Sequence, residues 1–225
     1  KNADIDMKDL IAKLTDEMLA HAASMEFEKA AELRDKIKEL EVSARSRGIP
    51  IMMSDGIDYL CDYINENNIK NILEIGSAIG YSAIRMALVD NDIKITTIER
   101  DNERYNEAVR NIDEFSLGGQ IEIILGDAMD IEVNGLYDLI FIDASKGHNI
   151  DFFNKYKKNL REHGVIITDN LSFHGLVENE ELAITRGQRG IVRKIKNFIE
   201  FLDKQEDFYT EYISLGDKIA VSKRK

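Results

Sequence analysis

Asp143 and Lys146 stand three positions apart, Asp169 and Asn170 are adjacent, and each pair closes a β-rich run, Leu139-Ile140-Phe141-Ile142 and Val165-Ile166-Ile167-Thr168. Neighbouring strands lie ~4.8 Å apart, so Asp143, Asp169 and Asn170 can meet above a sheet as three oxygen donors. Hard oxygens suit Mg²⁺, with Mn²⁺ or Ca²⁺ as substitutes, and leave about three octahedral positions for water and a ligand. A cation held this way orients and acidifies a bound hydroxyl. Lys146 can take the proton if the cation and partial burial lower its pKa. Taken singly, an Asp-Asn pair also serves a turn and a lysine a solvated loop.

A second group of residues reads as a pocket for a small polar ligand. The run Glu74-Ile75-Gly76-Ser77-Ala78-Ile79-Gly80-Tyr81-Ser82 leads from a strand into a helix. Gly76 and Gly80 permit a tight turn and a close backbone approach, and the helix start offers unpaired N–H groups. The spacing is not that of a dinucleotide loop, and an acid at Glu74 would repel a pyrophosphate but accept an ammonium group. Glu99, at the end of the next strand, can accept both hydroxyl protons of a ribose. Gly126-Asp127-Ala128 closes a third strand, where the carboxylate can take an exocyclic adenine amine. Helix caps and turns use the same residue types one at a time, but together and in this order they describe a nucleoside bearing an amino acid.

To bring these strand ends together the chain needs a parallel sheet. The pattern predicts strands over residues 71–75, 94–99, 121–125, 139–143 and 165–169, and helices near 54–67, 82–89, 101–115, 150–160 and 190–205. Two further strands, 208–214 and 218–222, flank the turn residues Gly216-Asp217 and read as an antiparallel hairpin. This is an α/β, Rossmann-like, doubly wound, mainly parallel seven-stranded sheet, whose ligand belongs beyond the carboxyl ends of the strands. Ahead of it, in residues 1–48, Leu10, Leu14 and Met18, then Phe27, Ala30, Ala31, Leu33, Ile37 and Leu40, recur at helical spacing. The expectation there is a helical hairpin, too small to stand alone, that pairs with another copy or docks on a partner. Residues 49–225 form the second domain.

Composition narrows the classes. One Pro, 14 Gly and no fixed repeat exclude collagen-like and solenoid chains. No apolar run is long enough to span a membrane, and a single cysteine, Cys61, suits a reducing compartment, so a soluble cytoplasmic protein is expected. A net charge of −12 argues against non-specific attraction to nucleic acid. Against that background, residues 185–196 hold Arg186, Arg189, Arg193, Lys194 and Lys196 with no acid. They form a candidate phosphate-binding surface, or an ordinary solvated helix face.

The run from Leu73 to Ser82 resembles motif I of the class I S-adenosylmethionine-dependent methyltransferases, most closely the metal-dependent catechol and caffeoyl-CoA O-methyltransferase branch. The resemblance implies S-adenosylmethionine as cofactor, contacted by Glu74, Gly76, Gly80, Tyr81, Ser82, Glu99, Asp127, Ala128 and Asp143. It puts the metal on Asp143, Asp169 and Asn170 and the catalytic roles on Lys146 and Asp143. The Ile49-Pro50-Ile51 lead-in, the Asp169-Asn170-Leu171 sequel, the Arg-rich helix and the closing Gly216-Asp217-Lys218 stretch are similar to the bacterial tRNA 5-hydroxyuridine O-methyltransferases. The implied acceptor is therefore 5-hydroxyuridine in a tRNA anticodon loop, with Arg186, Arg189, Arg193 and Lys194 on the RNA and a homodimer as the assembly. A small catechol-like or phenolic acyl-thioester acceptor would use the same metal and is the alternative. His148 and His174 flank the expected pocket without an assigned role, and Met52 and Met53 read as packing.

Residues 14–21 and 26–40, with the core Phe27-Glu28-Lys29-Ala30-Ala31-Glu32-Leu33-Arg34-Asp35, resemble the UVR motif, a helical protein–protein contact element. It implies a protein partner and raises a non-catalytic adaptor as a function of another class. A natural fusion, an artificial joining and a leading helix drifted into similarity all fit that segment.

Overall fold

The computed structural model describes the backbone of residues 2–144 and 147–225 and the side chains of Met18, residues 24–144 and residues 147–225. The chain divides into two compact units, residues 1–43 and residues 44–225. Where a helical hairpin is expected, a single uninterrupted helix, α1 (Asn2–Ser46), runs instead. The expected bend falls at Ala22-Ala23-Ser24-Met25-Glu26, which has no Gly, Pro or Asn to break a helix and is rich in strong helix formers.

The second unit is built on one sheet. Its strands are β1 (Asn71–Ile75), β2 (Lys94–Glu99), β3 (Ile121–Leu125), β4 (Tyr137–Ile142), β5 (Leu160–Thr168), β6 (Phe208–Ile213) and β7 (Ile219–Arg224). Helices α2 (Ser54–Glu66), α3 (Tyr81–Ala87), α4 (Asn102–Glu114), α5 (Asn149–Tyr156) and α6 (Arg186–Asp203) alternate with them. The strand order is β3-β2-β1-β4-β5-β7-β6. The first five are parallel, and β7 runs antiparallel to both β5 and β6. Parallel strands covered on both faces read as continuous apolar runs, as in Ile72, Leu73 and Ile75 or Leu139 to Ile142, all buried.

The register positions the site. Ile75 pairs with Ile98 on β2 and Ile142 on β4, and Ile142 pairs with Thr168 on β5. The next residues along, Gly76, Glu99, Asp143 and Asp169, therefore leave the sheet side by side. They do so around the gap between β1 and β4, where strand order reverses.

Two elements start well before the pattern predicts. β5 opens at Leu160, because the polar Arg161-Glu162-His163 face is exposed and hides the strand period. α6 opens at Arg186 behind a capping box, in which Thr185 accepts from the Gln188 N–H and the Gln188 side chain accepts from the Thr185 N–H. Among the described residues no helix is long and apolar enough to cross a membrane.

Candidate active site

A cavity of about 340 Å³ opens over the β1/β4 gap. Its floor is the loop after β1. Gly76 has φ +96°, and a Cβ there would lie 2.7 Å from the Asp143 carbonyl, so glycine is required where the two strand tips pass each other. Gly80 (φ +84°) starts α3 against Ala108 of α4. Ser77, Ala78, Tyr81 and Ser82 line the cavity with Gly76. Ser77 is buried, and its hydroxyl has no hydrogen-bond partner among the described residues. An orphaned polar atom at such a loop suits a polar ligand that supplies the missing partner.

The side expected to take a nucleoside carries two braced carboxylates. Glu99 accepts from the Asp101 N–H at 2.8 Å and the Ala78 N–H at 2.9 Å. One lone pair on each of its oxygens remains for a vicinal diol. Asp127 accepts from the Met129 N–H at 2.8 Å, and its other oxygen lies 4.0 Å from the Arg100 guanidinium. The Tyr156 hydroxyl lies 2.7 Å from the Ala128 carbonyl, which sets the backbone on that wall. His148 and Phe152 close the far side, with the His148 ring 3.1 Å from Asp151.

Glu74 is placed differently from expectation. It does not line the cavity but lies fully buried beneath the loop, where it accepts from the hydroxyls of Ser82 and Thr97. Strand alternation turns its side chain into the layer between β1 and α3, away from the ligand space. Burial pushes its pKa up to about 7, against the pull of the two hydroxyls. Glu74 is thus held beneath the loop by Ser82 and Thr97, off the cavity where an ammonium acceptor was expected.

On the acceptor side Asp143 and Asn170 line the cavity, and Asp169 lies buried just behind them. The Asn170 amide donates to Asp143 at 2.8 Å and to Asp169 at 3.1 Å, drawing the ends of all three side chains into one cluster. Asn170 has φ +68°, a left-handed turn that carries its side chain back over the strand tips. Among the described residues no three His, Cys, Asp or Glu side chains are placed to hold a metal. The Asn170 NH2 now sits where a cation would lie between the two carboxylates, and turning that amide to present its oxygen instead would complete a three-oxygen set of the kind that fits a hard divalent cation. Lys146 lies outside the described residues.

The basic residues separate into two locations. Arg186, Arg189, Arg193 and Lys196 line a distinct cleft of about 680 Å³ beside Glu180 and Asn197, and none of them borders the first cavity. Lys196 pairs with Glu180, and Arg189 donates to the carbonyls of Ala183 and Ile184. Lys194 faces the other way: a Cβ on Gly147 would meet its ammonium at 2.7 Å, next to the loop after Asp143.

Several lining residues escaped the sequence reading. Arg100 and Arg104 follow Glu99 into the next helix, and Pro50, Ile51 and Met52 form a wall from the lead-in. Ser77 sat within the recognised loop without being singled out. His174 and Met53 do not line the cavity.

The sequence model of a family described as O-methyltransferase matches residues 26–225, and that of the UvrB/uvrC motif matches residues 8–43. Tapetum-specific methyltransferase 1 of Arabidopsis thaliana is 28% identical over 206 residues, covering 88% of this chain and 87% of its own. The catechol O-methyltransferase of Niastella koreensis is 36% identical over 118 residues, 49% of this chain and 53% of its own. A solved Staphylococcus aureus structure, assigned provisionally as a caffeoyl-CoA O-methyltransferase, is 35% identical with a TM-score of 0.81, covering 84% of this chain and 92% of its own.

Proposed function

Because the chain belongs to the O-methyltransferase family and is an S-adenosylmethionine-dependent O-methyltransferase, we propose that its acceptor is 5-hydroxyuridine in a tRNA anticodon loop, methylated with the help of a divalent cation. In the transfer the sulfonium C–S bond breaks and a C–O bond forms, while the acceptor hydroxyl loses its proton. Glu99 and Asp127 hold the nucleoside end of the cofactor, and the loop from Gly76 to Ser82 holds the amino-acid end. Asp143, Asp169 and Asn170 would hold the cation, Mg²⁺ in the first instance, which when bound lowers the pKa of the acceptor hydroxyl. Lys146, by its place three residues after Asp143, is the proposed base.

The observation that carries the RNA reading is the cationic cleft. In a chain of net charge −12, Arg186 and Arg193 are exposed and have no ion-pair or hydrogen-bond partner among the described residues. Lys194, on the same helix, reaches the loop of the first cavity. A splayed anticodon base in the cavity with backbone phosphates along α6 matches this distribution. S-adenosylhomocysteine release with tRNA carrying 5-hydroxyuridine, followed by nucleoside mass spectrometry, tests it. Formation of 5-methoxyuridine supports the reading, and no turnover on that tRNA ends it.

The likeness to the Niastella koreensis catechol enzyme supports a second reading, a small acceptor with two adjacent oxygens. In 5-hydroxyuridine the 4-carbonyl stands beside the hydroxyl as the second oxygen does in a catechol, so metal dependence is common to both readings. Turnover of a catechol or a phenolic acyl thioester, with hydroxyuridine-bearing tRNA inert, would select the second.

A further inference from the structure

The turn between β6 and β7 is joined to both walls of the cavity. The Lys218 N–H donates to the Leu215 carbonyl at 3.0 Å and closes the turn without any side chain. On one side the Gly216 N–H donates to Asp55 at 3.0 Å, and a Cβ on Gly216 would meet the Gly56 Cα at 3.3 Å. The Met52 side chain packs on Gly56 and lines the cavity. On the other side the turn grips the segment that follows Asn170. The Leu171 N–H donates to the Lys218 carbonyl at 3.0 Å, and the Ser172 N–H to the Asp217 carbonyl at 2.8 Å. The Asp217 carboxylate accepts from the His174 N–H at 2.6 Å.

That segment needs outside support. Asn170, Phe173, His174 and Gly175 have φ of +68°, +50°, +56° and +82°, and three of these are not glycine. L-residues hold such conformations only where surrounding contacts over-determine them. The carboxylate that supplies the support is itself costly: Asp217 is 4% exposed, and its second oxygen has no hydrogen bond among the described residues, the His174 ring lying 4.0 Å from it. The turn closes without it and a buried carboxylate opposes folding, so its contribution lies in what it holds.

We propose that Asp217 is a positioning residue for methyl transfer, bracing the 171–175 segment so that Asn170 stays over the tips of β4 and β5. This rests on the reading of Asn170 as part of the acceptor and cation site. Removing the acceptor oxygen frees the segment to leave its left-handed conformation and moves the Asn170 amide away from the two aspartates. Cofactor binding, built on β1 to β3 and the α5 wall, is untouched.

The test uses the full chain with D217A, D217L, which fills the space but cannot accept, and D217N, which keeps one acceptor oxygen. Calorimetry should give S-adenosylhomocysteine affinities within about two-fold of the parent for all three. Mn²⁺ affinity should fall about ten-fold in D217A and D217L, as for other outer partners of metal ligands. Their kcat should fall on the order of 10²-fold, as for small misplacements of reacting groups. D217N should recover most of both, and the His174 amide should stay protected from hydrogen exchange in D217N alone among the variants. Parent-like kcat and exchange in D217A or D217L overturn the proposal, as does D217N behaving like D217A. Failure of the parent to bind Mn²⁺ would instead count against the cation reading, and kcat with the exchange at His174 would still decide the brace.

Discussion

The wall proposed for the nucleoside and the wall proposed for the acceptor both use acids at strand ends, yet they are anchored by different means. Glu99 takes N–H donors from Asp101 and from Ala78 in the loop after β1, and Asp127 takes one from Met129, so backbone donors fix both carboxylates. Asp143 and Asp169 are gathered by Asn170, and the segment after Asn170 is gripped by Asp217, 43 positions from His174. Backbone donors tie the first wall to the loop after β1 and to its own strand ends. The Asp217 grip ties the second wall to the β6–β7 turn as well, so that wall depends on the far edge of the sheet being assembled.

The difference between the walls is tested first on the proposed acceptor side. Asp143→Ala should lower kcat by on the order of 10²–10³-fold, the loss of a few kcal/mol of charge stabilisation. Initial rates of S-adenosylhomocysteine release across a Mg²⁺ titration check this, and a D143A enzyme as fast as the parent would remove the cation from the chemistry. At the nucleoside wall, Glu99→Ala should weaken S-adenosylmethionine binding by about 10–100-fold, the worth of hydrogen bonds to a charged group. The KM for the acceptor should stay within about two-fold, so the two walls separate in steady-state kinetics.

The smallest effect on the site falls on the acid beneath the loop. Glu74→Gln should leave cofactor affinity within about two-fold, since the side chain does not face the cavity. A ten-fold loss would restore Glu74 as a cofactor contact. Its signature belongs to stability instead. A carboxyl whose pKa is raised from 4.5 to about 7 on folding holds its proton more tightly folded than unfolded. Its contribution is full below pH 4.5 and is lost as pH rises through 7, by at most about 3 kcal/mol. E74Q should therefore raise the melting temperature at pH 8 relative to the parent, and the gap should narrow at pH 5, as read by thermal denaturation.

Much of the site was legible because strand ends follow from hydrophobic period, and the residues just past them are few. Gly76, Glu99, Asp127, Asp143 and Asn170 were found this way and all line the cavity. Glu74 was misplaced because only the side-chain alternation of an assembled strand shows which way it points. Arg100 and Met52 carried no pattern of their own. The Arg-rich run was visible as composition, yet its division between a separate cleft and the Gly147 loop depends on the rotation of α6. The uninterrupted course of α1 was open to the sequence in the absence of breakers, and the change of helical face near Ser24 obscured it.

What the sequence determined by itself is whatever depends on neighbours along the chain: alternating strands and helices, the glycine loop and the acids at strand ends. The tertiary structure alone decided the register that aligns Gly76, Glu99, Asp143 and Asp169. It also decided the close passage that makes Gly76 obligatory and the grip of Asp217 on a segment far from it in sequence. These depend on distances between strands that meet only when the sheet closes, and no local period encodes them.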